Sequence, residues 1–172
     1  MKALIQRVKS ANVAVNGVVI SSIERGLCVL IDSYCPNSIR KLLNVKIFDD
    51  DNNIKWKATV VDKQYELLCV SQFTLYNTWK GNRPDFHNAM PAEKSRVFYE
   101  TFVQGLKEAY EPEKIKDGAF GEYMQVSIQN DGPVTFEIES PAHINKNNKR
   151  MGVQVVPQVD LDKEDELSVN EK

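Results

Sequence analysis

Two polar stretches of this 172-residue chain carry the side chains best suited to chemistry. In "SQFTL", Ser71, Gln72 and Thr74 surround the aromatic Phe73 at the end of an apolar run. Hydroxyl and amide groups donate and accept hydrogen bonds. A hydroxyl becomes a nucleophile only beside a base, and none is evident in the neighbouring sequence. The same residues would serve equally to cap a strand end. In "QNDGPVT", Gly132 and Pro133 lie between "EYMQVSI" and "VTFEIE", which read as strands. Asn, Asp, Gly and Pro are ordinary turn formers. The alternative is a rigid backbone tool, with glycine allowing close approach and proline fixing a peptide geometry.

Other chemistries find little support. His87 stands in a polar loop and His143 at the start of the C-terminal tail, neither with a second ligand at metal-binding spacing. There is no G-x-S-x-G elbow, Walker loop or G-x-G-x-x-G fingerprint. Cys69 falls inside an apolar strand, where inert packing is the better reading. Asp49, Asp50 and Asp51 read as an exposed turn. The odd cysteine set, Cys28, Cys35 and Cys69, predicts reduced thiols and a cytoplasmic location. A net charge of −2 gives no reason to expect strong non-specific nucleic-acid binding, so a nucleic-acid partner would be held by a small local site. No apolar run is long enough to span a membrane, and no signal peptide is evident.

The elements that must position these residues read as α+β. "ALIQRV" alternates, and Asn16-Gly17 between apolar β-branched runs predicts a hairpin. "GLCVLI" and "LLCVSQFTLY" read as buried strands. Pro36 to Asn44 predicts a short helix with Ile39, Leu42 and Leu43 on one face. "NVKIF" reads as a strand and "NTWKGNRPDFHNAM" as a loop. A helix is predicted from about Pro91 to Tyr110, with a stripe of Phe98, Phe102, Leu106 and Ala109. The expected core is a mixed, mainly antiparallel, barrel-like sheet with two helices. It occupies about residues 1–141, followed by a charged tail at 142–172. Asn145 to Lys172 has few apolar residues, and "DLDKEDELSVNEK" holds six negative and two positive charges, a pattern of disorder.

Taken together, "SQFTL" and "NDGPVT" resemble the two signature motifs of the D-aminoacyl-tRNA deacylase family, in order and separation. The opening "QRV…A.V.V.G", "GLCVL", "KGNRPDFHNAMP" and "KDGAFGEYMQVSIQNDGPVT" are similar to its eukaryotic branch, so the resemblance covers roughly residues 1–141. It implies hydrolysis of the ester joining a D-amino acid, or glycine, to the 3′-terminal adenosine of tRNA. It implies a homodimer that works without metal or cofactor. The Gly132-Pro133 step, cis in the family, would enter the pocket of the other chain. Its main chain would form a wall that admits the α-hydrogen of a D-amino acid and excludes an L side chain. Arg7 would brace that step.

At the other motif, N–H groups around Phe73 and Thr74 would form an oxyanion hole, a contribution often worth ~2.7–4 kcal/mol per donor. Ser71 belongs to this catalytic segment, and Gln72 would orient the substrate. Met124 and Asn130 would contact it. Thr74 acting as a nucleophile is disfavoured for want of a base. Between Ile31 and Asn44 the chain reads as shorter than the family pattern, with the first helix trimmed. The rival reading is an inactive family member acting as a nucleic-acid or chromatin-binding protein through its charged tail.

Overall fold

A computed structural model describes residues 2–32 and 36–139. The expected tail, His143 and Cys35 lie outside the described residues. The chain opens on a 14-residue strand, β1 (Lys2–Val15), which turns at Asn16-Gly17 into β2 (Val18–Ile23). Both turn residues have positive φ, 52° and 80°, the backbone that an Asn-Gly hairpin turn requires. β3 (Gly26–Ile31) follows, then α1 (Pro36–Asn44), matching the predicted helix. Next come β4 (Glu66–Ser71), a 3-10 turn at Phe73–Tyr76, and the short strands β5 (Thr78–Lys80) and β6 (Arg83–Asp85). α2 (Ala92–Ala109), β7 (Ile115–Asp117) and the 16-residue β8 (Met124–Glu139) complete the described chain.

The main sheet runs β2-β1-β3-β4-β7, and β8 pairs with the other edge of β1. β1 is antiparallel to β2, β3 and β8, whereas β3–β4 and β4–β7 are parallel. β2 also packs near β4 and β7, so the sheet curls almost into a barrel. The α+β, mainly antiparallel, barrel-like architecture agrees with the sequence reading.

Both faces of the central strands are buried, which is why their sequences run apolar without alternation. Leu27, Val29 and Ile31 of β3 face the helices, among Phe102, Leu106, Leu42 and Leu43. Cys28 and Leu30 face the barrel interior, with Leu68, Val70, Val13 and Met124. β1 changes allegiance along its length: Ala3 and Ile5 point to the helix side, Val8, Ala11 and Val13 to the interior. Val8 pairs with Asn130 and Ser10 with Gln129, so Lys9 is an extra residue in the ladder. One extra residue reverses the two-residue period and sends later side chains to the opposite face.

Several local expectations are corrected. "NVKIF" is not a strand; only an isolated bridge from Phe48 to Ala58 forms there. The strand through "LLCVSQFTLY" stops at Ser71, and the chain tightens into the 3-10 turn. The supposed loop at 77–90 contains the β5–β6 hairpin. On α2 the buried positions include Tyr99 and Val103, while Phe98 and Ala109 are exposed. The winning face is the one that lets the Tyr99 hydroxyl donate to the carbonyl of Cys69 at 2.9 Å.

The largest correction concerns "QNDGPVT". Its flanks are not two strands joined by a turn but one strand, β8, antiparallel to β1 throughout. Val134 pairs with Arg7 and Asn130 with Val8, so Asp131, Gly132 and Pro133 bulge out of the ladder without reversing the chain.

Candidate active site

The end of β4 builds one wall of an open cavity of about 520 Å³. Val70, Ser71, Gln72 and Phe73 face it from one side; Phe120, Tyr123, Met124 and Val126 face it from the other, with Met90 and Ser95 also lining it. The parallel neighbour β3 holds the floor in register, pairing Ile31 with Ser71, and Gln72 N–H donates to the Ile31 carbonyl at 2.7 Å. Beyond that bond the chain leaves the sheet. Leu75 N–H reaches back to the Gln72 carbonyl at 3.3 Å, closing the 3-10 turn. The N–H groups of Phe73 and Thr74 stand at the open start of that turn, where no preceding turn supplies acceptors.

Side-chain contacts fix the rim. Gln72 Nε2 donates to Thr74 Oγ1 at 2.5 Å, and Asn77 Nδ2 to the Thr74 carbonyl at 2.9 Å. The Thr74 hydroxyl therefore faces an amide donor rather than a base. Phe73, 55 % exposed, meets Phe86 edge to face at 5.2 Å. Phe120 is clasped between Tyr99, with centroids 5.6 Å apart, and the Arg96 guanidinium 4.8 Å from its ring. Arg96 Nη2 also donates to the Phe120 carbonyl at 3.4 Å. Phe120, Met90, Tyr123 and Arg96 escaped the sequence reading. The available signal was an aromatic set among glycines in "GAFGEY", next to the Met124 already singled out.

A buried acid lies just behind. Asp32 follows β3, is 4 % exposed, and its Oδ1 has no hydrogen-bond partner among the described residues. Burial pushes its carboxyl up to about 6. Its backbone carbonyl accepts from Ser95 Oγ at 3.5 Å.

The bulge on β8 forms a second region. Arg7 Nε donates to the Asp131 carbonyl at 3.1 Å and lies 3.5 Å from Asp131 Oδ2. Arg7 Nη1 donates to the Ile47 carbonyl at 2.5 Å, and Trp56 stacks 5.9 Å from the guanidinium. The Gly132-Pro133 peptide is cis. Gly132 has φ +121°, and a Cβ there would meet Val134 Cγ2 at 2.9 Å and Arg7 Nη2 at 3.1 Å, so the backbone favours glycine and a side chain would have to displace its neighbours. Gly132 and Pro133 are exposed, as is Asn130.

Ser71, Gln72, Phe73 and Met124 thus share one cavity, with Thr74 bonded to its rim. Arg7 and Asp131 line a different, polar cavity of about 310 Å³ together with Arg25, Tyr65 and Lys63. Asn130 belongs with the bulge, not with Met124. Along β8, Met124 and Gly132 are eight residues apart, a path of roughly 26 Å.

The remaining reactive groups are accounted for by burial or by pairing. Burial pushes the Cys28 thiol up to about 12 and the Cys69 thiol further, so neither is a thiolate near neutrality. His87 Nδ1 and Lys80, 2.5 Å away, both hold Asp85, whose carboxyl lies far below the usual range, chiefly through Lys80. Asp50 Oδ1 caps its own turn by accepting from Asn52 and Ile54 N–H. Among the described residues no three His, Cys, Asp or Glu side chains are grouped to hold a metal, and no helix is long and apolar enough to cross a membrane.

Comparison with known proteins gives a consistent answer. The family model for D-Tyr-tRNA(Tyr) deacylase matches residues 4–139. The human protein named D-aminoacyl-tRNA deacylase 1 is 54 % identical over 149 residues, covering 83 % of this chain and 71 % of its own. The Drosophila melanogaster D-aminoacyl-tRNA deacylase is 47 % identical over 148 residues, covering 82 % and 93 %. A solved structure named c-Myc DNA Unwinding Element Binding Protein is similar at 54 % identity and a TM-score of 0.79, covering 83 % of this chain and 100 % of that one. Both signature stretches fall inside the matched span, and the chain belongs to the D-Tyr-tRNA(Tyr) deacylase family.

Proposed function

We propose that this chain is an enzyme that hydrolyses the ester bond of D-aminoacyl-tRNA, releasing the D-amino acid and tRNA. The observation that carries the proposal is the cavity at the end of β4, where Ser71, Gln72 and Phe73 meet Met124 and the N–H groups of Phe73 and Thr74 open the 3-10 turn. Two main-chain donors at a strand end suit an ester carbonyl whose oxygen gains charge as water attacks. An ester needs no covalent nucleophile, so positioning and oxyanion stabilisation are asked to supply the rate. Gln72 orients the substrate, and the apolar wall of Phe120 and Met124 receives the terminal adenosine. The ribose 2′-OH beside the ester is a donor and acceptor that assists the attacking water. The work belongs to the cytoplasm, where aminoacyl-tRNA is used.

Chirality is selected by the main chain of Gly132-Pro133. A backbone wall rejects an L side chain by steric clash whatever its identity, and lets D-amino acids and glycine pass. Support comes from the way the bulge is held: Arg7 grips the Asp131 carbonyl, and a Cβ at Gly132 would crowd Val134 and the Arg7 guanidinium. In one chain the bulge and the cavity lie at different places on the sheet. The proposal therefore includes a homodimer in which each bulge completes the partner copy's cavity, an arrangement that two-fold symmetry satisfies twice over.

Complementation tests both parts. A chain carrying Gly132→Ala and a chain carrying Phe73→Ala are each nearly inactive on D-Tyr-tRNA. Mixed after unfolding and refolding together, they recover about a quarter of wild-type activity, since half the dimers are mixed and each holds one intact site. No recovery from well-folded dimers would remove the shared site. Equal cleavage of D- and L-Tyr-tRNA by the wild type would remove the filter.

A second reading draws on the similar solved structure, whose name describes a protein that binds a DNA unwinding element. Truncation after Pro141 separates the two. Unchanged deacylation supports the enzyme; duplex DNA binding by a chain that cleaves nothing, lost on truncation, supports the rival.

A further inference from the structure

We infer that the β5–β6 hairpin is a docking platform for the unpaired nucleotides that precede the terminal adenosine of the tRNA. The inference rests on the deacylase reading and extends its cavity outward. The hairpin is tied to the cavity at its base: Phe86, just past β6, meets Phe73 edge to face at 5.2 Å, and Phe73 lines the cavity. What emerges from the cavity mouth beside Phe73 therefore runs toward the hairpin.

The hairpin's surface suits a single strand of nucleic acid. Trp79 is 70 % exposed, more than Phe73 itself, on an element only three residues long per strand that cannot bury it. An exposed indole costs apolar hydration and is the ring best able to stack a base. Strand pairing sets Trp79 opposite Pro84, so a flat apolar face is presented there. Lys80 pairs with Arg83 in the ladder and shares the opposite face with Asp85. Asp85 is already held by Lys80 at 2.5 Å and by His87. Among the described residues Arg83 has no carboxylate partner and is exposed, leaving a cation free for a phosphate. With the ring on one face and the free guanidinium on the other, a single strand that crosses the edge of the narrow ribbon sets a base on Trp79 and a neighbouring phosphate on Arg83. The chain's net charge of −2 makes this local cation the more significant.

The test compares two substrates, D-tyrosyl-tRNA and the minimal ester D-tyrosyl-adenosine, which lacks the upstream nucleotides. Trp79→Ala raises KM on the tRNA about five- to tenfold more than on the minimal ester, the share of one stacked base. Arg83→Gln lowers the slope of log KM against log salt on the tRNA by about 0.7, the value for one phosphate contact on a single strand. Sedimentation of the variants stays that of the wild type. Equal effects on both substrates, an unchanged salt slope, or a changed assembly state would overturn the platform. A wild-type chain that cleaves neither substrate would instead overturn the deacylase reading, so the two failures are told apart.

Discussion

The strand end at 71–74 and the bulge at 131–133 solve opposite problems with the same material, the main chain. At the strand end the ladder stops, the chain tightens into a 3-10 turn, and a recess opens between polar backbone and apolar side chains. At the bulge the ladder continues on either side, and three residues are pushed outward. The recess is shaped by neighbours in the sheet; the protrusion is gripped by Arg7, which reaches both Asp131 and Ile47. Several residues share the walls of the recess, whereas the protrusion leans on the Arg7 guanidinium.

Gly132→Ala gives the largest contrast between the two. Its Cβ would lie 2.9 Å from Val134 Cγ2 and 3.1 Å from Arg7 Nη2, at φ +121°. The bulge must move, and a displacement near 1 Å at a positioning element costs on the order of 100-fold in rate. Turnover of D-Tyr-tRNA is expected to fall by that order while the chain stays folded, because the ladder around the bulge is intact. A rate within a few-fold of wild type would show that the bulge is passive.

Arg7→Lys acts on the brace alone. Lysine keeps the charge but loses the fork that bonds two carbonyls at once. Each lost charge-assisted bond is worth about 1.5–3 kcal/mol, and the bulge is left able to give way. The ratio of D- to L-Tyr-tRNA cleavage is expected to fall about tenfold, with hydrolysis of glycyl-tRNA affected least. An unchanged ratio would mean that the wall stands without its brace.

These two regions also differ in how plainly the sequence announced them. Asn16-Gly17, the apolar strands and both helices were legible because each depends on local residue types and a short period. The bulge was not, since Asn, Asp, Gly and Pro have the same composition in a turn as in an outward loop. Only the pairing of Val134 with Arg7 and Asn130 with Val8, more than 120 residues apart in sequence, decides between them. "NVKIF" misled in the other direction: its alternation suits a strand, but no partner strand runs beside it beyond the Phe48–Ala58 bridge. Phe98 lost its place to Tyr99 because the hydroxyl of Tyr99 finds the Cys69 carbonyl, a tertiary contact invisible to periodicity.

Thr74→Ala tests the recess at the opposite extreme. The hydroxyl accepts from the Gln72 amide at 2.5 Å, and among the described residues no base is bonded to it. Its removal frees Gln72 and leaves both N–H groups in place, so kcat is expected to drop less than about tenfold. Loss of a true covalent nucleophile costs on the order of 10⁶-fold, and a drop of that size would replace the oxyanion account with an acyl-enzyme.

The smallest effect separates the two regions by charge. At the bulge, Asp131 has a guanidinium at 3.5 Å; behind the recess, Asp32 is buried, and its Oδ1 has no hydrogen-bond partner among the described residues. Burial raises the Asp32 carboxyl from 3.8 to about 6, so the fold favours its protonated form. The sign follows from linkage. The contribution is complete below about pH 4 and is lost as pH rises through 6, because the folded chain then holds a charge that the unfolded chain carries freely. Asp32→Asn removes that cost, and the variant should be more stable than wild type at pH 7 by roughly 1–3 kcal/mol. Below pH 4 the two should match, with the variant's urea midpoint nearly flat across the interval where the wild type falls. A variant less stable at pH 7, or one that keeps the wild-type slope, would mean that Asp32 is ionised in the fold. The recess would then hold a compensated charge, like the bulge.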